Sequence, residues 1–163
     1  MLETAYLDTP IGCLEIKGSR LGIQSIQRID NAPPESAAPS LTVMKDSMMQ
    51  LQAYFEGKCQ SFDLLLDWSE ATDFYKSVWQ QMLQIPYGRT TTYSEIAHQL
   101  NRPKAVRAVG MASKHNPIAI VVPCHRVIAK SGALQGYFYG LEVKAQLLAL
   151  EYSKLPNSQG RLF

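Results

Sequence analysis

Hydrophobic spacing along the chain changes period near residue 70, so no single layer of one secondary-structure type can hold both halves. Before that point Tyr6–Leu7, Leu14–Lys17 and Ile23–Ile29 are short β-prone runs, joined by Thr9-Pro10-Ile11-Gly12 and by Gly18-Ser19-Arg20. They predict a small antiparallel sheet. A surface connection over 31–40, with Pro33, Pro34 and Pro39, leads to Met44, Met48, Leu51 and Phe55 at helical spacing, closed by Gly57. Phe62–Trp68 reads as one more strand. Beyond Ser69–Ala71 the spacing becomes helical, beginning with the stripe Phe74, Val78, Met82 and Ile85 that ends at Pro86-Tyr87-Gly88. The expected division is an α/β lobe over 1–71, a mostly helical lobe over 72–154 and a tail over 155–163 that carries no interpretable motif.

A chain of 163 residues holds two small lobes at most. Its 46% hydrophobic and 18% charged content fits a packed core and excludes wholesale disorder or a collagen-like fibre. No run approaches the length of a membrane span, and Glu3, Asp8 and Pro10 interrupt the start where a signal peptide needs unbroken apolar sequence. No membrane partner is expected, and the expected location is the cytoplasm, or the nucleus in a eukaryote. Cys13, Cys59 and Cys124 are odd in number and widely spread, which predicts free thiols and lacks zinc-ligand spacing. Charge is uneven. Residues 1–75 hold five Lys+Arg against eleven Asp+Glu, a balance of −6, whereas residues 76–163 hold eleven against three, a balance of +8. A basic segment of this kind suits a polyanion, although a solvated basic face reads the same.

Within the basic half, Thr92 with Glu95 three residues on forms a capping box for a short helix through Leu100. Pro103 suits the first turn of a second helix reaching Lys114. The pair, separated by Asn101-Arg102, is a helix-turn-helix candidate and equally an ordinary helical hairpin. In the second helix Ala105, Ala108, Gly110 and Ala112 are small, with Arg107 as the one long cation among them. Small side chains admit a close approach of the backbone to another surface, and a lone Arg can reach into it. Tight packing on neighbouring helices is the competing explanation.

After Asn116-Pro117 the apolar run Ile118–Val122 reads as a strand that delivers Pro123-Cys124-His125-Arg126-Val127. A free thiol with its pKa near ~8.5 is mostly protonated at neutral pH unless positive charge or a base lowers it. His125, Arg126, Lys114 and Lys130 are the expected source of that field, and the expectation is an ionised sulfur. In the last helix, Leu141–Tyr152, Lys144, Leu147, Leu148 and Glu151 share one face, so Glu151 points inward and needs a partner. Glu151 orienting His125, which draws the proton from Cys124, is a nucleophile, base and orienter arrangement. A small buried cysteine and a solvated Glu151 remain the plainer alternative.

Taken together, the pentapeptide Pro123–Val127, Pro86-Tyr87-Gly88, Thr92-Tyr93, Arg107-Ala108-Val109-Gly110, Asn116-Pro117 and Gly140-Leu141 with Lys144 resemble the O6-alkylguanine-DNA alkyltransferase family. The likeness covers residues 72–152 closely and the first lobe in outline. It implies a ribonuclease H-like first lobe and a winged-helix-like second one carrying the helix-turn-helix. It also implies a monomer without cofactor or metal that repairs double-stranded DNA directly. Such a protein flips an O6-alkylguanine out of the duplex from the minor-groove side and moves the alkyl group irreversibly onto its own cysteine, once.

Position by position, the resemblance makes Cys124 the alkyl acceptor, His125 the base acting through water and Glu151 the orienter of that histidine. Asn116 would tie the helix-turn-helix to the active-site segment, and Tyr93 would hydrogen-bond guanine N3. Arg107 would fill the gap left by the flipped nucleotide, with Ala105, Ala108 and Gly110 against the groove and Ser94, Arg102 and Lys130 on the strand. Tyr137 and Phe138 would line the alkylguanine pocket, and the carbonyls of Cys124 and Val127 would read the guanine amino group. The chain departs from the family at Phe138 and Tyr139, where small residues are usual. Two rings there either narrow the pocket toward methyl or open outward and leave it unchanged; the expectation is weak activity on benzylguanine relative to methylguanine. Two other functions fit parts of the pattern: a lesion-binding protein that takes no alkyl group, and a thiol hydrolase or redox enzyme that turns over.

Overall fold

The computed structural model describes residues 1–132 and 137–155, so the tail over 156–163 and Gly136 lie outside the described residues. Contacts divide the chain into two compact units: Met1–Ser69 with Pro117–Ala119, and Glu70–Asn116 with Ile120 onward.

The first unit is an antiparallel sheet, β1 (Glu3–Thr9), β2 (Gly12–Ser19) and β3 (Gly22–Ile29), covered by one helix, α1 (Thr42–Phe55). Both hairpins turn in two residues, with Thr9 opposite Gly12 and Ser19 opposite Gly22. Gly22 has a φ of +140°, and a Cβ there would stand 2.8 Å from the Leu65 backbone, so only glycine fits. Leu14, Ile16, Ile23 and Ile26 form the buried face of the sheet. On α1 the buried row is Met44, Ser47, Leu51 and Tyr54, one step round from the expected Met44, Met48, Leu51 and Phe55. Ser47 is tolerated inside because its hydroxyl donates to the Met44 carbonyl at 2.7 Å. No side chain of Leu41 caps α1; the Glu3 carboxylate of β1 accepts from the Leu41 N–H at 2.9 Å instead.

Phe62–Trp68 is not a full strand. It meets β3 at one parallel bridge, Ile23 with Leu66, through Ile23 N–H to Leu65 O (2.8 Å) and Asp67 N–H to Ile23 O (2.9 Å). A second bridge, Ile26 with Ile118, occupies the same edge further along, with Ile26 N–H donating to Pro117 O at 2.9 Å. Two short segments therefore satisfy the edge that a bare β3 would expose.

The second unit contains α2 (Asp73–Leu83), β4 (Thr91–Thr92), α3 (Tyr93–Gln99), α4 (Val106–Lys114), β5 (Val127–Ile128) and α5 (Leu141–Ser153). The α2 stripe buries Val78, Met82 and the following Ile85 as spaced, and adds Trp79, whose indole N–H donates to the Ala112 carbonyl of α4 at 2.8 Å. Thr92 caps α3, accepting from the Glu95 N–H at 3.0 Å. The helix ends with Asn101 at a φ of +59°, Asn101 N–H on His98 O and Arg102 N–H on Ala97 O. Those two bonds are the Schellman arrangement, with Asn in the left-handed position. They hold Arg102 to Lys104 in the turn, so Pro103 precedes α4 and the helix starts at Val106 rather than at the proline.

The apolar run Ile118–Val122 is buried but is not a strand. After the Ile118 bridge the chain turns at Ile120, a β-branched residue held at a φ of +73°. Strain of this kind persists only where surrounding contacts enforce it. Among the described residues no helix is long and apolar enough to cross a membrane.

Candidate active site

Backbone geometry aims the cysteine. Pro123 sits at φ −83° and ψ 63° with the Cys124 N–H on the Val122 carbonyl at 2.8 Å, an inverse γ-turn that runs directly into a 3-10 turn over Cys124–Arg126. All three residues of that turn are buried, with Cys124 only 6% exposed. Asn116, just past the end of α4, donates from its amide to the Val122 carbonyl at 2.9 Å and to the Cys124 sulfur at 3.2 Å. One side chain thus fixes both the approach of the segment and the sulfur itself.

Glu151, on the inner face of α5, is fully buried and accepts hydrogen bonds from His125, Arg126 and Gly88. His125 Nε2 donates at 2.6 Å, Arg126 Nε at 2.8 Å, Arg126 Nη2 at 3.0 Å and the Gly88 N–H at 3.2 Å. This donor set holds the carboxyl well below the usual carboxylate range against the opposing effect of burial. An ionised carboxylate can only accept, so the proton lies on Nε2 and the lone pair on Nδ1. That Nδ1 is buried and has no hydrogen-bond partner among the described residues. Arg126 also donates to the Ile85 carbonyl at 2.8 Å, anchoring the fork to the end of the α2 segment. Gly88 has a φ of +74°, the left-handed region that favours glycine, and a Cβ there would meet the movable end of the Leu155 side chain.

Burial opposes the ionised sulfur that neighbouring cations led one to expect. Burial pushes the Cys124 thiol above its ordinary value, outweighing the Asn116 hydrogen bond and the charge of Lys144, and burial likewise holds His125 below its ordinary value. Lys114 and Lys130 are exposed, and Arg126 is committed to Glu151. The cation that acts on the sulfur is Lys144 of α5, which sequence spacing placed only on an apolar face.

Tyr93 and Tyr137 also surround the sulfur. The Tyr93 hydroxyl is hydrogen-bonded with Ser113, and burial together with the nearby Cys124 raises its pKa. Tyr137 is 8% exposed, its hydroxyl has no hydrogen-bond partner among the described residues, and it is pushed up well above the ordinary tyrosine range by the same causes. Of the two carbonyls expected to read a base, that of Val127 accepts from Lys144 Nζ at 2.5 Å and that of Cys124 from the Val127 N–H. Each keeps a second lone pair. The Phe138 ring is 67% exposed and meets Tyr139 edge-on at 5.0 Å, while Tyr139 meets Tyr137 at 5.7 Å.

The remaining named residues lie on or beside the helix pair. Arg102, Arg107, Ala108 and Lys130 are exposed, and Ser94, Ala105 and Gly110 are half-buried. Arg102 stacks over the Phe74 ring at 5.8 Å. Ala112 belongs to the core, not to the outer face. Among the described residues a Cβ on Gly110 would meet nothing within 4 Å, so none of them requires a small residue there. Sequence reasoning missed Gly88, Ser113, the Arg126 fork and the Lys144 contact. Arg126 and Lys144 were visible as cations near the cysteine, but their partners are distant in sequence.

Comparison with known proteins gives a consistent result. Residues 73–153 match the family model described as the DNA binding domain of 6-O-methylguanine DNA methyltransferase. The chain is 43% identical over 153 residues to the methylated-DNA–protein-cysteine methyltransferase of Methanosarcina barkeri, covering 91% of this chain and 96% of that one. It is 43% identical over 159 residues to the enzyme of the same name from Mycobacterium bovis, covering 96% of each. The crystal structure of Mycobacterium tuberculosis OGT in complex with DNA superposes with a TM-score of 0.82 at 43% identity, covering 94% of both chains.

Proposed function

The chain belongs to the methylated-DNA–protein-cysteine methyltransferase family, and we propose that Cys124 is the group that receives the alkyl substituent. The activity is direct reversal of DNA damage: an alkyl group passes from O6-alkylguanine in DNA to a protein cysteine, stoichiometrically and irreversibly. The observation that carries the assignment to Cys124 is the His125 ring beside it, one nitrogen bound to Glu151 and the other buried without a partner among the described residues.

The reaction runs from a neutral thiol. As substrate enters, the S–H bond breaks, the electron pair stays on sulfur and the proton passes through an intervening water to His125 Nδ1. Glu151 stabilises the imidazolium that forms. The sulfur attacks the saturated carbon, an S–C bond forms and the C–O6 bond breaks, with its electron pair leaving on guanine O6. Tyr93 gives its proton to guanine N3 and is reprotonated by the proton held on His125, so the base departs neutral, the side chains return to their starting protonation and a thioether remains. Nothing reverses that bond, and each molecule acts once.

Reaching an O6 substituent inside a duplex requires eversion of the nucleotide, which costs least for a lesion that pairs badly. Exposed Arg107 is suited to occupy the vacated stack, with Ala105, Ala108 and Gly110 allowing α4 to sit close in the minor groove. Ser94, Arg102 and Lys130 would hold the strand, and Tyr137, Val127 and Tyr93 the extruded base. In finer detail the first unit is taken as ribonuclease H-like, the second as winged-helix-like, and the protein as a cytoplasmic monomer. Titrating the protein with an excess of O6-methylguanine duplex tests the reading: methyl transferred per protein should reach one and stop. Continued turnover would exclude it.

A further inference from the structure

The sheet of the first unit protects one of its two edges and leaves the other open. β3 is covered at the Leu66 and Ile118 bridges, whereas β1 ends the strand order and, among the described residues, makes main-chain hydrogen bonds with β2 alone. Its register with β2 runs unbroken from Glu3 opposite Gly18 to Thr9 opposite Gly12. Residues flanking a two-residue hairpin loop form a hydrogen-bonded pair, and such pairs alternate along an antiparallel ladder. Thr9, Leu7, Ala5 and Glu3 therefore bond to β2, and the N–H and C=O groups of Thr4, Tyr6 and Asp8 point away from the sheet. Folds usually blunt such an edge with lysine, proline or a bulge. Glu3–Thr9 contains neither lysine nor proline, and the irregularity in this sheet lies in the β2–β3 pairing at Lys17/Gly18.

Charge and the two faces of the strand select what fits there. Glu3 and Asp8 stand on β1, and Glu15 lies opposite Tyr6 on β2. Glu3 is bound by the Ser40 and Leu41 N–H groups, which are neutral and leave its charge uncancelled. The cations of this region are Lys17, 3.6 Å from Glu15, and Arg28, which reaches the Ile11 carbonyl in the hairpin loop. Acids therefore outnumber bases here, as they do over residues 1–75 as a whole. Thr4, Tyr6 and Asp8 share a face with Glu15 and Lys17, while Ala5 lies on the opposite face, buried with Leu14 and Ile16 on the side that α1 covers.

We propose that the open edge of β1 is a docking site for an extended, basic segment of a partner protein, which joins the sheet as a further strand. Its apolar side chains lie on the α1 side and its lysines or arginines on the side of Tyr6 and Asp8. Main-chain bonds to Thr4, Tyr6 and Asp8 supply affinity, and the acids supply the preference for a basic partner. A second copy of this chain is the poorer occupant, because it would bring two acidic lobes together.

The test uses the full-length protein and a synthetic heptapeptide alternating valine and lysine, long enough to span the seven residues of β1. Amide hydrogen exchange at Thr4, Tyr6 and Asp8 should slow when the peptide is added, while Ala5 and Leu7, already bonded to β2, change little. The same peptide with glutamate in place of lysine should bind at least about tenfold more weakly. Tyr6→Pro removes one outward N–H and spares the β2 ladder, so it should weaken the lysine peptide by about the same factor and leave methyl transfer at the wild-type rate. Should Tyr6→Pro fail to fold, Asp8→Lys is read instead, and the preference for the lysine over the glutamate peptide must shrink. Exchange unchanged at the three amides, slowing confined to other residues, or equal binding of the two peptides overturns the proposal. So does a free protein that sediments as a dimer with those amides already protected, which would give the edge to a second copy.

Discussion

His125 Nε2 stands 2.6 Å from Glu151 Oε2 with both side chains wholly removed from solvent, and the same carboxylate is gripped by the two-pronged Arg126 guanidinium. The carboxylate is therefore a buried ion-pair partner of Arg126 and, in the proposed reaction, the orienter of His125. Replacing Glu151 by Gln leaves the Arg126 charge buried without its anion and removes the reason for the His125 tautomer. Loss of one partner from a buried ion pair costs about 3–5 kcal/mol. Urea unfolding should show a loss of that order in Glu151→Gln, and single-turnover transfer should slow by at least about a hundredfold, within the usual contribution of a positioned base. Stability and rate both near wild type would contradict the geometry.

Acid should destabilise the protein through both groups. Glu151 has a folded pKa depressed below the ordinary carboxylate value of 4.5, so its stabilisation is present above that pH and is lost as pH falls toward the folded value. His125 is held below its ordinary 6.5, so below that pH the unfolded chain gains a proton that the fold refuses. Both signs agree. The urea midpoint should decline from pH 6.5 downward and more steeply below 4.5, with the upper part of the decline reduced in His125→Gln. A midpoint that rises on acidification would show the pair is protonated in the fold.

Much of this arrangement was legible beforehand, for identifiable reasons. Thr92 capping, the Val78–Met82 stripe and the inward face of Glu151 depend on residues within one or two turns of each other, and local spacing reports them. The α1 row was misjudged because Met48 and Phe55 are more apolar than Ser47 and Tyr54, yet Ser47 satisfies its hydroxyl locally and Tyr54 packs against Phe62. Pro103 was read as a helix start because its chemistry suits one, but the Asn101 turn already fixes the backbone there. The edge pairing of Phe62–Trp68 and Pro117–Ala119 with β3 is a long-range fact without a local signature. Burial raises the pKa of the Cys124 thiol, an effect that charge counting along the sequence does not report.

Gly110 separates folding from DNA contact. Among the described residues nothing lies within 4 Å of a Cβ built there, and glycine inside a helix costs roughly 0.5–1 kcal/mol relative to Ala. Gly110→Leu should therefore keep or raise thermal stability while weakening duplex binding by at least about tenfold, a loss of ~1.4 kcal/mol. Tight duplex binding by this variant would move the contact face off α4.

Arg107 makes the complementary case. Arg107→Ala should slow transfer from O6-methylguanine in a duplex far more than transfer from the free base O6-benzylguanine, because only the former needs the stack refilled. Equal slowing on the two substrates would show that Arg107 has no part in extrusion.

Phe138 faces solvent, so Phe138→Ser should leave the ratio of benzylguanine to methylguanine reactivity within about twofold of wild type, the range expected of surface substitutions. A marked rise in the ratio would place the ring over the pocket when substrate is bound.

The most direct measurement of the whole account is the mass of the intact protein, followed by its peptides, after exposure to a duplex containing O6-methylguanine. The account predicts a gain of a single methyl group, located on the peptide holding residue 124 and abolished in Cys124→Ser. An unchanged mass despite tight binding, or a methyl group found on Cys13 or Cys59, would contradict it.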